Sequence, residues 1–170
     1  VTWLLLPLSI CYGLIILIRA FLYKLGVFKV RHWNVPVLVV GNLTVGGAGK
    51  TPLVIELSRG LRARGWRPGV VSRGYGGTSE GPTTVTAGTD PFLVGDEPVL
   101  IAREAGVPVV IARKRGKAVD RLLQETGVDL VIADDGLQHL ALGRVVEIAV
   151  IDGMTGYGNG LLLPAGPLRA

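Results

Sequence analysis

Residues 44–51 read Thr44-Val45-Gly46-Gly47-Ala48-Gly49-Lys50-Thr51, and an apolar run over 35–40 leads directly into them. A strand feeding a glycine-rich turn that ends in Lys-Thr is built to hold phosphate. Backbone N–H groups of the turn cradle phosphate oxygens, Lys50 reaches the β- and γ-phosphates, and the Thr51 hydroxyl ligates Mg²⁺. The helix that follows aims its positive end at the same anion. The ligands this implies are ATP and Mg²⁺, held by residues 44–51. The pattern departs from the usual one at its first position, where Thr44 stands in place of glycine. Its surroundings compensate. Leu53, Val54, Leu57 and Leu61 recur at helical spacing, Gly65 supplies a stop, and Pro52 is tolerable in a first turn.

Working outward, the pattern alternates. Strands are expected over 36–41, 69–72, 84–87, 108–112, 129–133 and 147–151, and helices over 51–64, 97–105 and 116–126. The strands are continuous Val/Ile-rich runs, as in a parallel sheet covered on both faces. The expected fold is α/β, a P-loop NTPase-like, doubly wound, mostly parallel sheet. The glycine-, Ser- and Thr-containing stretch 74–82 reads as a long mobile loop.

The chain has 170 residues, about one domain, with a net charge of +5 and aromatics at only 6%. That basicity suits a nucleotide, a phosphorylated substrate or an anionic lipid surface. With no basic run interleaved with aromatics, nucleic acid is not an expected partner. A single cysteine, Cys11, allows no intrachain disulfide, and with two histidines it makes a structural zinc site a poor fit. A reducing, ATP-containing compartment follows. The chain opens on Val1 and closes on a loop-like stretch over 164–170, which suggests a portion of a longer protein.

Residues 1–18 carry no charge, and Arg19, Lys24, Lys29 and Arg31 follow. The run is borderline for a membrane span, with Pro7 and Gly13 weakening it, and it lacks the basic start and cleavage site of a signal peptide. We expect residues 1–33 to form an apolar membrane-associated helix, either spanning or lying in plane, with residues 34–170 as the phosphate-binding domain. If the segment meets a bilayer, the basic residues put that domain on the cytoplasmic side; the other reading of the segment is a buried helix of a soluble core. Thr2, Ser9, Gly13 and Ala20 make a slim stripe suited to protein packing, while Trp3, Tyr12 and Tyr23 suit a membrane interface.

Several other constellations carry charge. The strand over 129–133 ends in Asp134-Asp135-Gly136. In nucleotide-binding sheets such an acid holds Mg²⁺, and two adjacent acids on a strand point apart, so one serves the metal and the other Thr51, Lys50 or substrate. Gly95-Asp96-Glu97-Pro98 opens a helix. Read by itself, Asp96 is an N-cap; read functionally, it takes a proton from a substrate hydroxyl, and a loose phosphoryl-transfer transition state needs only a weak base. Arg73 follows the second strand in a glycine-rich loop, at the rim where open α/β sheets bind ligands. Arg113-Lys114-Arg115 follows another strand on that rim. It is balanced between phosphate or headgroup binding and a solvated helix start. His139, in Gly136-Leu137-Gln138-His139, lies just beyond the carboxylates. His32 has no such neighbourhood.

Together Gly41-Asn-Leu-Thr-Val-Gly-Gly-Ala-Gly-Lys-Thr-Pro52, Ser72-Arg-Gly-Tyr-Gly76, Gly95-Asp-Glu-Pro98, Ala112-Arg-Lys-Arg115, Asp134-Asp-Gly-Leu-Gln-His139 and Leu163-Pro-Ala-Gly-Pro-Leu-Arg169 resemble the tetraacyldisaccharide 4'-kinase family in order along the whole chain. The resemblance implies an ATP- and Mg²⁺-dependent kinase on the cytoplasmic face of the bacterial inner membrane. It would phosphorylate the 4'-hydroxyl of tetraacyldisaccharide 1-phosphate to give lipid IVA. It implies Asp96 and Lys50 as catalytic, Thr51, Asp134, Asp135 and Glu97 on the metal side, and Arg73, Arg115, Gln138 and His139 toward nucleotide or substrate. The family pattern has Glu where this chain has Ala170, and a second α/β lobe follows it, with the active site in the cleft between lobes. Two other classes share the loop. A partition- or anion-pump-type ATPase switch carries a signature Lys where Val45 stands here. A membrane-bound module that holds nucleotide passively needs no catalytic acid.

Overall fold

The computed structural model describes residues 2–47 and 49–169. Ala48 of the phosphate loop and Ala170, where the family pattern has Glu, lie outside the described residues. A helix, α1 (Thr2–Lys24), precedes the sheet domain. Its elements are β1 (Val37–Asn42), α2 (Lys50–Ala63), β2 (Pro68–Ser72), β3 (Thr83–Val85), α3 (Pro91–Val94), α4 (Asp96–Ala105), β4 (Val109–Ile111), α5 (Arg115–Glu125), β5 (Leu130–Asp134) and β6 (Val146–Val150).

The six strands lie in the order β3-β4-β2-β5-β1-β6. All neighbours are parallel except β3, which runs antiparallel to β4 at the edge. Central strands are apolar until their C-terminal residues because both their faces are covered, and the buried polar residues Asn42, Ser72 and Asp134 close β1, β2 and β5. Val40, Val70 and Ile132 pack under α2 and α4, with Val54, Ile55 and Ile101. Their neighbours Val39, Val71 and Val131 pack on the other face under α5, with Ala118, Val119 and Leu122. The edge strand β6 departs from that expectation, with Val146 and Glu147 exposed.

Because β5 is inserted between β1 and β2, the C-terminal ends of β1 and β5 are adjacent, with Val40 in register with Asp134. This brings the loop after β1 beside the carboxylates that end β5. The stretch expected to be mobile is instead tied down. Thr78 N–H donates to the Phe92 carbonyl (3.2 Å), Ser79 N–H to that of Leu93 (3.0 Å), and Gly77 N–H to that of Gly74 (3.1 Å). Glycine gives this segment a close approach to α3, where a Cβ on Gly77 would collide with backbone of Leu93 and Val94. The short helix α3 escaped the periodicity reading. Its signal is Asp90-Pro91, in which the Asp90 carboxylate accepts from Phe92 N–H at 2.9 Å.

Helix α1 runs unbroken through Pro7 and Gly13 for 23 residues, about 35 Å. It is long and apolar enough to cross a membrane, with a mean hydropathy of 2.2 over its most apolar window. Trp3 and Leu4 are both 84% exposed. The chain after it is anchored to α5. Asp120 accepts from Arg31 Nη1 at 2.6 Å and from Trp33 Nε1 at 2.9 Å.

Candidate phosphoryl-transfer site

The loop after β1 is held from below by Asn42, the last residue of the strand and fully buried. Its Nδ2 donates to the carbonyls of Thr44 (2.7 Å) and Gly46 (2.9 Å), and its Oδ1 accepts from Lys50 Nζ at 2.9 Å. One side chain thus fixes both the curl of the loop and the direction of its lysine. Gly49 takes a left-handed φ of 76° as the residue before α2. Among the described residues, a Cβ on Gly46, Gly47 or Gly49 would meet no atom within 4 Å beyond the chain neighbours, so these glycines face open space. Thr51 is the second residue of α2 and is partly buried beside it. Thr44 and Val45 behave differently from the other loop residues. Val45 N–H is already used, donating to the Pro167 carbonyl at 2.8 Å, and Thr44 bridges Leu168. Those two residues shape the loop from outside, and Val45 N–H is turned away from the cradle.

The two carboxylates take different environments, as adjacent residues at a strand end must. Asp134 is 1% exposed, with Oδ2 accepting from Ser72 Oγ at 3.1 Å. Its Oδ1 is buried with no hydrogen-bond partner among the described residues. Burial, seconded by the charge of Glu97, pushes this carboxyl up to about 6. Asp135 turns out of the strand with φ 49°. Its Oδ1 accepts from Lys50 Nζ at 2.8 Å and lies 3.5 Å from Arg169 Nη1. Burial alone would raise Asp135, but the Lys50 hydrogen bond and charge, with Arg169 and Arg115, outweigh it and hold the carboxyl below its ordinary value.

Arg115 is placed differently from a rim cation. It is 3% exposed, and its Nη2 donates to the backbone carbonyls of Asp134 (3.2 Å) and Asp135 (3.3 Å). Burial lowers it to about 10, against the pull of both carboxylates. It braces the acidic turn from beneath, and the solvated helix start does not apply to it. Arg73 is exposed, and its charge is felt by Arg115 and His139, which puts it on the same rim. Gln138 Nε2 donates to the Asn42 carbonyl at 3.2 Å. His139 is held below its usual value by burial first and then by Arg115 and Arg144, which favours the neutral imidazole.

The N-cap reading of Asp96 is corrected. Gly95, with φ 89°, occupies that position with no side-chain cap, and Asp96 is the first residue of α4. A Cβ on Gly95 would run into the Tyr75 carbonyl, so glycine lets the Arg73 loop close onto the start of α4. Asp96 and Glu97 are exposed there. Lys50, Asp134, Asp135, Glu97, Arg73, Arg115, Gln138 and His139 are therefore drawn to one end of the sheet. Asn42 and Arg169 belong with them although neither stood out as a candidate. A buried Asn directly before a phosphate loop was the available signal for the first. Two surface grooves, of about 320 and 390 Å³, lie elsewhere, one lined by Trp66 and Val128 and one by Tyr23 and Arg144. The charged constellation, not groove size, marks the site.

Similarity to known proteins agrees with this geometry. Tetraacyldisaccharide 4'-kinase of Shewanella amazonensis is 54% identical over 98% of this chain and 48% of its own length. The enzyme of the same name from Shewanella baltica strain OS185 is 55% identical over 98% and 49%. The chain thus spans about half the length of the curated relatives it matches. The crystal structure of LpxK from Aquifex aeolicus, an "apo" form in complex with ATP, superposes with a TM-score of 0.86 at 37% identity, covering 99% of this chain and 54% of that one. Residues 1–170 match the profile of tetraacyldisaccharide-1-P 4'-kinase throughout, and the chain belongs to that family.

Proposed function

We propose that this chain carries the nucleotide-binding lobe of a kinase that transfers the γ-phosphoryl of ATP to the 4'-hydroxyl of tetraacyldisaccharide 1-phosphate, giving lipid IVA. The observation that carries the reading is Lys50, clasped between Asn42 and Asp135 at the mouth of an open glycine cradle, beside a buried Asp134 with one oxygen unpartnered. An orphaned buried carboxylate oxygen costs free energy unless a cation or donor meets it. That donor set fits Mg²⁺, with Asp134 and the Thr51 hydroxyl as first candidates and Glu97 and Asp135 behind them. The ion would neutralise charge on the β- and γ-phosphates.

The residues of the chain do the rest. Lys50 exchanges Asp135 for the γ-phosphate and stabilises charge as the bond from γ-phosphorus to the β-bridging oxygen breaks. Asp96 accepts the proton of the 4'-hydroxyl as the new P–O bond forms, and its exposed, uncapping position leaves both carboxylate oxygens free for this. Arg73, Gln138 and His139 orient nucleotide or sugar, with Arg115 supporting the acidic turn. In this reading residues 1–33 associate with the inner membrane and residues 34–170 face the cytoplasm. A second lobe closes the cleft.

The test follows labelled γ-phosphate from ATP into tetraacyldisaccharide 1-phosphate, using the full-length protein in detergent micelles. Labelled lipid in the native protein, lost in Lys50→Ala and Asp96→Ala, is the expected result. ATP hydrolysis without labelled lipid would overturn it.

A further inference from the structure

Segment 161–169 joins two features that are far apart in function. Its far end pairs with the phosphate loop in an antiparallel fashion. Val45 N–H donates to the Pro167 carbonyl (2.8 Å), Arg169 N–H donates to the Leu43 carbonyl (2.7 Å), and Thr44 bridges Leu168 between them. From the same end the Arg169 guanidinium reaches Asp135, the partner of Lys50. The near end is folded on itself, with Gly166 N–H on the Leu162 carbonyl (3.0 Å) and Leu163 N–H on the Leu168 carbonyl (2.9 Å).

This folded segment sits on a strip of α1 that carries Ser9 and Tyr12. Ser9, the buried residue of that helix, donates from Oγ to the Leu162 carbonyl and accepts from Ala165 N–H, each at 2.9 Å. Tyr12 OH donates to the Arg169 carbonyl at 2.8 Å. Gly13 leaves just enough room for Leu162, whose Cδ1 would lie 3.0 Å from a Cβ there. Residues 9, 12 and 13 are neighbours on one helical face. Outside that strip, Leu14, Ile15, Leu17 and Ile18 are exposed.

We propose that Ser9 and Tyr12 are positioning residues for the phosphate loop. They hold segment 161–169 in the place from which it shapes residues 43–45 and presents Arg169 to Asp135. An apolar helix that only anchors the protein needs no hydroxyl aimed at the carbonyl of a site arginine, whereas a helix that fixes the loop does. The inference rests on the nucleotide reading of the loop, and the test separates the two.

The experiment measures affinity and stoichiometry for a fluorescent ATP analogue with Mg²⁺ on the full-length protein in micelles. Tyr12→Phe removes one oxygen and is expected to weaken binding about fivefold, the effect of one lost hydrogen bond, at unchanged stoichiometry. Ser9→Ala and Gly13→Leu, which disturb the near end, are expected to weaken it as much or more. Ile15→Ser, on the exposed face, leaves affinity unchanged. A purely structural role for the two hydroxyls would instead lower the fraction of binding-competent protein with affinity intact, and that result overturns the proposal. Hydrogen exchange supplies a second readout. The analogue is expected to slow exchange at the Val45, Ala165 and Arg169 amides, and to do so less in Tyr12→Phe. Native affinity in all three inward variants, with Lys50→Ala impaired, overturns the positioning role alone. No binding by the native protein overturns the nucleotide reading and the positioning role with it.

Discussion

Asn42 makes three of the contacts that give the phosphate loop its shape, and all three come from one fully buried amide. Asn42→Ala is therefore expected to leave the sheet folded while weakening ATP-analogue binding about tenfold or more, since each lost hydrogen bond is worth roughly 1 kcal/mol. Far-UV circular dichroism beside a binding titration checks both halves. Asp134 makes a different prediction. Its carboxyl is pushed up to about 6 in the folded chain against an ordinary 3.8, so the folded state holds its proton more tightly. The stabilisation is full below the unfolded value and is lost as pH rises from about 4 to about 6, amounting to about 3 kcal/mol. In chelator, the thermal midpoint should fall across that window and flatten above it. Asp134→Asn should remove the slope, and added Mg²⁺ should raise the midpoint at pH 7 in the native protein only.

At the scale of elements, the sequence was most readable where the physics is local or uniform. Strands buried on both faces are apolar runs until the polar residue that ends each beside the site, so β1, β2, β4 and β5 announce themselves, and α2, α4 and α5 follow from helical spacing. What could not be read depends on partners distant in the chain. Stretch 74–82 has the composition of a free loop, yet its N–H groups find carbonyls of α3. Asp96 has the composition of a cap, yet the positive φ of Gly95 shifts the helix start by one residue. The candidate acids were legible from Asp134-Asp135 after a strand, but the difference between their surroundings needed Ser72 and Lys50 in three dimensions. The Gly95 contact is testable against a neighbouring glycine. Gly95→Ala meets the Tyr75 carbonyl and a φ that side chains rarely adopt, and is expected to cost about 1–3 kcal/mol. Gly81→Ala meets open space and should stay within about 0.5 kcal/mol. Denaturant unfolding of both variants compares them directly.

Across the whole molecule, α1 divides its surface between two solvents. One strip, through Ser9, Tyr12 and Gly13, is committed to protein, so Tyr12 turns its hydroxyl inward rather than marking a membrane interface. The rest leaves Trp3, Leu4, Leu8, Leu14, Ile15, Leu17, Ile18 and Phe21 exposed. So large a continuous apolar surface has no stable home in water, and Arg19, Lys24, Lys29 and Arg31 follow it in a chain of net charge +5. Two forces should therefore hold the protein to a bilayer, and salt tells them apart. Raising ionic strength from about 0.1 to 1 M shortens the screening length from roughly 10 to 3 Å. That removes the attraction of the basic residues for anionic lipid and leaves apolar insertion untouched. In flotation with vesicles containing anionic lipid, high salt should weaken association only partly. Replacing Leu14 and Leu17 together by Ser should weaken it about a hundredfold or more at either salt concentration, since each buried leucine contributes roughly 1.5–3 kcal/mol. The same double variant should bind ATP analogue normally, because both side chains are more than half exposed, at 54% and 66%. Complete release of the native protein by salt would show that α1 does not insert and that the basic residues alone hold it to the surface. A double variant that lost nucleotide affinity would show that the two faces of the helix are not independent.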